Sequence, residues 1–134
     1  MAQRNECYVD TSAFIGFLDR SDSYHPLFLH LFTAPPALVT SALVIAEGHS
    51  WFLRRYDQYR AVQFLAFTAE LPALEIVAFG LDELNTAARL VKKFANQKIT
   101  LADAHGLVIM RERRVSLCWS TDRHLSLTET PLVV

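Results

Sequence analysis

Four short, β-favouring apolar runs alternate along this chain with longer amphipathic segments: Cys7-Tyr8-Val9, Ala37 to Thr40, Leu74 to Ala78 and Val115 to Trp119. That alternation leaves few architectures open. Strands separated by helices predict a mostly parallel sheet covered on both faces, because only a crossover helix returns the chain to start the next strand in the same direction. Leu132 to Val134 is a further candidate for a short edge strand, so the fold class is α/β with four or five strands.

The helical segments carry their own punctuation. After Asp10-Thr11-Ser12, residues Ala13, Phe14, Phe17 and Leu18 fall on one helical face. A second helix starts near Tyr24 with Pro26 in its first turn and stops at Pro35-Pro36. Ser41 is placed to cap a third helix bearing Leu43, Val44, Trp51 and Phe52. Tyr59 to Leu71 forms a fourth, closed by Pro72, and Leu81 to Ala95 a fifth. Leu101 to Arg113 is the last, with Thr100 as its cap.

The 134 residues, 51% of them hydrophobic, suffice for one sizeable core, so residues 1–134 read as a single domain. Cys7 and Cys118, far apart in or beside core strands, form neither a zinc motif nor a disulfide framework and read as buried thiols. The opening MAQRNECYVD lacks the apolar stretch of a signal peptide, and no run approaches the roughly 18 apolar residues of a membrane span. The expectation is a soluble cytoplasmic protein. A net charge of -1 announces no broad basic face. A polyanionic ligand remains compatible if some of the acids are occupied by cations.

Four acids stand where such cations would bind. Asp10 and Asp122 each follow a strand, so in a parallel sheet both emerge at the carboxyl edge, where open α/β sheets place their ligands. Glu47 lies about two turns into the helix after the second strand, amid Val44, Ile45 and Ala46. It therefore needs either a solvent-facing stripe or a cation. Asp103 sits in the first turn of its helix, where the helix dipole favours its charge. Singly, Asp10 and Asp122 have turn or capping readings, Glu47 a solvated-helix reading and Asp103 a first-turn reading. Together, four carboxylates in one place repel and raise one another's pKa unless a hard divalent cation intervenes. Oxygen ligands favour magnesium, with manganese as the alternative, as one ion or two. Metal-assisted phosphodiester hydrolysis is the natural chemistry of such a site.

The ordered segments YVDTSAFIGFLDRSDSYH, TSALVIAEGHSWFLRR, ITLADAHGLVIMRERRV and WSTDRHL resemble, over essentially the full length, the four motifs of the PIN-domain ribonucleases, especially the VapC-like toxins. The resemblance implies a three-layer α/β/α PIN-like fold. It also implies Asp10, Glu47 and Asp103 as central catalytic, metal-binding acids, with Asp122 as the fourth. Thr11 or Ser12, Ser41 and Thr121 match small hydroxyl positions that orient carboxylates, water or phosphate. The fourth motif departs at Leu125, where an aromatic is common. The implied activity is an RNA endonuclease that leaves a 3'-hydroxyl and a 5'-phosphate. The resemblance further implies a homodimer, single-stranded or structured RNA as substrate and a small cognate antitoxin as partner.

Around the acids, Arg54, Arg55 and His124 are candidate RNA contacts, each competing with a solvated-surface or turn-capping role. His49 and His105, two residues beyond an acid on a helix, turn away from it and read as packing or nearby contacts. Phe14, Phe17, Trp51, Phe52, Phe64 and Phe67 read as core or dimer packing. Two other functional classes compete: an RNA-binding or antitoxin-binding module with weak cleavage, and a phosphohydrolase using Asp10 as nucleophile. The latter lacks the second Asp two residues onward that usually serves such enzymes as acid-base partner.

Overall fold

A computed structural model describes residues 4–134. Four strands, β1 (Arg4–Val9), β2 (Ala37–Ser41), β3 (Leu74–Val77) and β4 (Val115–Trp119), form one sheet in the order β3-β2-β1-β4. Every pairing is parallel, and the register sets Tyr8 beside Val39 on one side and Cys118 on the other. Leu132 adds only an isolated parallel bridge to Cys118. Pro131 has no N–H to extend that ladder, so the terminal segment covers the β4 edge without becoming a fifth strand.

Six helices connect the strands: α1 (Thr11–Leu18), α2 (His25–Thr33), α3 (Ala42–Arg55), α4 (Gln58–Glu70), α5 (Leu81–Lys93) and α6 (Leu101–Arg113). Local chemistry fixes their ends. The Ser41 hydroxyl accepts the Val44 N–H, and the Asp57 carboxylate accepts the Arg60 N–H at 2.8 Å. Thr100 and Asp103 close a reciprocal capping box, each side chain accepting the other's backbone N–H at 3.0 Å. Arg114, with φ 51°, turns the chain sharply from α6 into β4.

The crossovers from β1 to β2 and from β2 to β3 proceed one way across the sheet, and the crossover from β3 to β4 comes back. Right-handed crossovers then place α1–α4 on one face and α5–α6 on the other. Packing agrees, since α1 lies on α2 and α3, α3 on α4, and α5 on α6. The first face is filled with aromatic rings. Phe14 is fully buried and stacks on Phe32 at 5.8 Å, and Phe32 meets Trp119 edge-on at 5.0 Å. Burial of each such ring contributes about 1.5–3 kcal/mol. Gly48 lets α4 approach α3, because a Cβ there would run into the Phe64 ring. On the second face Tyr8 packs against Gly106, and α6 is buried nearly all round from Ala102 to Leu107. Such a helix shows little amphipathic contrast because both sides meet protein.

Cys7 and Cys118 are buried free thiols. Among the described residues no helix is long and apolar enough to cross a membrane.

Candidate metal centre

The strand order reverses between β1 and β4. β1 leads to β2 on one side, while β4 joins from the other. A crevice therefore opens at the carboxyl ends of these two strands, the position where ligands bind in open α/β sheets. Asp10 stands there at the N-cap of α1, its N–H bonded to the Trp119 carbonyl at 3.0 Å. Its buried carboxylate accepts from Ser120 Oγ at 2.8 Å and Ser12 Oγ at 3.1 Å through the same oxygen, Oδ2. Ser12 Oγ also accepts the Thr121 N–H, and Ser120 Oγ accepts the Asp122 N–H. Two serines thus tie the end of β1 to the loop after β4.

Asp122 caps a 3-10 turn over Arg123–Leu127 by accepting the His124 N–H at 2.9 Å. His124 Nδ1 lies 3.2 Å from Asp122 Oδ1 and 3.6 Å from Asp103 Oδ2. Asp103 is buried in the first turn of α6, its Oδ2 held by the Thr100 N–H. Asp103, Asp122 and His124 each offer a ligand atom, all within 4.8 Å of one another. Glu47 reaches the same crevice from α3, on a solvent-facing stripe, and its Oε2 accepts from Thr11 Oγ1 at 3.3 Å.

Electrostatics bind these groups into one site. The carboxyls of Asp10, Glu47 and Asp103 all sit above the usual carboxylate range, first because each has lost water and then because neighbouring carboxylates repel its charge. Asp122 is the negative neighbour that all three share, and Glu47 also feels Asp10 and Asp103. Hydrogen bonds from Ser120, Thr11 and Thr100 oppose the shift without cancelling it. Negative charge gathered at the cost of raised pKa values suits a divalent cation. Ligands on opposite sides of a small divalent ion are about 4 Å apart, so the Asp103–Asp122–His124 group needs little contraction. The donor set fits a hard or borderline ion: carboxylate oxygens with one imidazole nitrogen at the rim.

The other sequence candidates divide. Ser12 is at the centre of the site and Thr11 supports Glu47. Thr121 contributes through its backbone N–H, and buried Ser41 caps α3. Arg54 lines a cavity of about 580 Å³ that begins at Thr11 and Glu47. Arg55 lies over the Tyr56 ring at 5.0 Å. His105 is buried against Phe79. His124, a candidate RNA contact or turn-capping residue, points a ring nitrogen at two acids. Ser120 was absent from the sequence candidates altogether. Its signal was its place between a strand end and an acid, which only the β1–β4 pairing makes meaningful. A larger cavity, of about 830 Å³, lies among Leu90, Phe94, Met110 and Leu127 and contains none of the acids.

The family model described as "PIN domain" matches residues 7–130. Ribonuclease VapC26 of Mycobacterium tuberculosis is 28% identical over 124 residues, spanning 86% of this chain and 85% of that protein. The crystal structure of Mycobacterium tuberculosis VapC20, described as a sarcin-ricin-loop-cleaving toxin, superposes with a TM-score of 0.81 at 20% identity, covering 90% of this chain and 93% of the other. VapBC2 of Rickettsia felis, bound to a DNA fragment from its promoter, matches with a TM-score of 0.61 at 12% identity, over 95% of this chain and 96% of its own.

Proposed function

This chain belongs to the PIN-domain family, and on that premise we propose that it is a divalent-metal-dependent endoribonuclease, the toxin member of a toxin–antitoxin pair. The observation that carries the reading is Asp103, Asp122 and His124 at ligand distance from one another at the switch point, with Asp10 and Glu47 near enough for their charges to interact with this group. Likeness to a named ribonuclease over most of both chains supports RNA as substrate.

Asp10, Glu47, Asp103 and Asp122 would hold magnesium or manganese, with His124 as a nitrogen donor that favours the more borderline manganese. Bound by these residues, such an ion would supply water activation and neutralisation of the charge that develops on the phosphoryl oxygens. The protein's own part is positioning. Ser12 and Ser120 fix Asp10, the Thr100 N–H fixes Asp103 and Thr11 fixes Glu47, so the acids keep their orientation as substrate enters. No paired histidine base is needed, and the ribose 2'-hydroxyl takes no part. The cut therefore leaves a 3'-hydroxyl and a 5'-phosphate. A homodimer, a small cognate antitoxin and a cytoplasmic location complete the proposal.

The test is to incubate the protein with total RNA and with synthetic stem-loops, including a sarcin–ricin hairpin, in manganese and in chelator, and to map the ends. Metal-dependent cuts bearing 5'-phosphates, lost in Asp103→Asn, are expected. RNA binding without cleavage on any substrate, in a protein that takes up metal, would favour the binding-module reading.

A further inference from the structure

A groove leaves the acidic site along one face of α3. Leu43, Glu47, Trp51 and Arg54 follow one another at steps of four, four and three residues, which puts them on a single helical stripe. Leu101, at the start of α6 and 39% exposed, forms the facing wall. The cavity between them measures about 580 Å³ and is shared at its mouth by Thr11 and Glu47. It therefore opens directly on the metal-binding acids.

The groove's chemistry changes in order along its length. At one end is Glu47, whose charge a bound cation would cancel. Apolar surface follows, centred on Trp51. At the far end Arg54 is exposed, about 10 Å from Glu47 along the helix axis. The Trp51 indole meets its ring neighbours Phe52 and Tyr56 steeply, at 83° and 69°, so neither ring stacks parallel on it. Metal, flat apolar surface and guanidinium match the sequence phosphate, base, phosphate along a nucleic-acid strand. A peptide helix would ask for apolar contact along the whole groove, which the acid and guanidinium at its ends do not offer.

We infer that this groove is a subsite for one unpaired nucleotide beside the scissile bond, with its base against Trp51 and Leu101 and its outer phosphate on Arg54. The inference rests on the ribonuclease reading and adds the residues that hold the flanking nucleotide, Trp51, Leu101 and Arg54, a placement that requires that nucleotide to be outside a duplex. A paired base is already stacked on both sides and cannot lie on the indole. Recognition of splayed bases by aromatic side chains is sequence-tolerant, so the subsite selects for single-strandedness more than for identity.

The chain has two tryptophans, and Trp119 is only 2% exposed, so a change in indole emission on ligand binding reports Trp51. The experiment titrates a six-nucleotide single-stranded RNA of mixed sequence, and a duplex of the same sequence, into the Asp122→Asn protein in manganese. Emission and affinity are followed together. Quenching by the single strand is expected, with affinity reduced about ten- to a hundredfold in Trp51→Leu and largely kept in Trp51→Phe. Arg54→Gln should bind more weakly and with a shallower salt dependence. Thermal melts of each variant verify folding. Single-strand binding that leaves Trp51 emission and the Trp51→Leu affinity unchanged overturns the subsite while the nuclease reading stands. Equal quenching by the duplex overturns the unpaired requirement. A wild-type protein that takes neither manganese nor RNA removes the nuclease reading and the subsite together.

Discussion

The Ser120 hydroxyl donates to Asp10 Oδ2 at 2.8 Å, so the loop after β4 holds the carboxylate that ends β1. Ser120 is fully buried, and its Oγ also accepts the Asp122 N–H at 2.9 Å. One side chain therefore orients two of the four acids. Ser120→Ala should leave a buried carboxylate and a backbone N–H short of a partner, costing about 1–3 kcal/mol of stability. Metal affinity should fall about 10- to 100-fold, as when other outer-shell partners of a metal site are removed. Urea denaturation and manganese titration measure the two effects. Wild-type values in both would mean that the hydroxyl bridge does not organise the site.

The raised pKa values of Asp10, Glu47 and Asp103 set the sign of a pH effect. A carboxyl whose folded pKa lies above its unfolded value binds its proton more tightly in the native state. Its stabilising contribution is complete below the unfolded pKa, about 4, and is lost as pH rises through the folded pKa. The metal-free protein should therefore lose stability between the ordinary carboxylate range and neutrality. Asp19, whose pKa is lowered chiefly by hydrogen bonds from Ser21 and Tyr56 that outweigh its desolvation, acts in the opposite direction and at lower pH. Asp103→Asn should flatten the slope and raise the melting temperature of the metal-free protein at pH 7. It should also abolish the stabilisation that manganese confers. Melting curves from pH 4.5 to 8, with chelator and with manganese, decide this, and a metal-free protein that gains stability over that range would contradict it.

The fold was legible because its signals are local. Pro26, Pro35-Pro36, Pro72, Ser41 and Thr100 mark helix ends through backbone chemistry that needs no partner elsewhere, and every helix and strand lies close to its expected range. The positions of the acids in the fold were legible for the same reason, each falling just after a strand or within an early turn of a helix. What was hidden depends on contacts between distant segments. Ser120 matters only because β4 lies beside β1. His124 faces two acids only because the 3-10 turn after Asp122 folds back toward α6. The failure of Leu132 to Val134 to form a strand likewise reflects Pro131 and a single available bridge, not the segment's own propensity.

His124 differs from the acids in offering nitrogen. His124→Ala should weaken manganese binding more than magnesium binding and so narrow the preference between them, because imidazole suits the more borderline ion. Competition titrations give the ratio directly. An unchanged ratio would confine His124 to donating its backbone N–H to the capping carboxylate of Asp122.

Arg113 offers a contrast at the opposite end of the sheet. Its guanidinium pairs with both oxygens of Glu6 at 3.1 and 2.9 Å and with both oxygens of Glu75 at 2.8 and 2.9 Å, linking β1, β3 and α6. Glu6 is nearly buried, whereas the Glu75 side chain is 59% exposed and its share is screened. Arg113→Ala should cost roughly 1–3 kcal/mol, and Lys should not restore it, since a point charge cannot replace the fork. Manganese affinity of the folded variant should stay unchanged. A variant that loses metal binding while remaining folded would show that the two ends of the sheet are coupled.

The most direct measurement is calorimetric titration of manganese into metal-free protein and into a variant with Asp10→Asn and Asp103→Asn together. Saturable binding to the native chain, absent from a folded double variant, is the expected result. A folded native protein that binds no manganese, with or without a short RNA present, would contradict the assignment of these carboxylates to a metal centre.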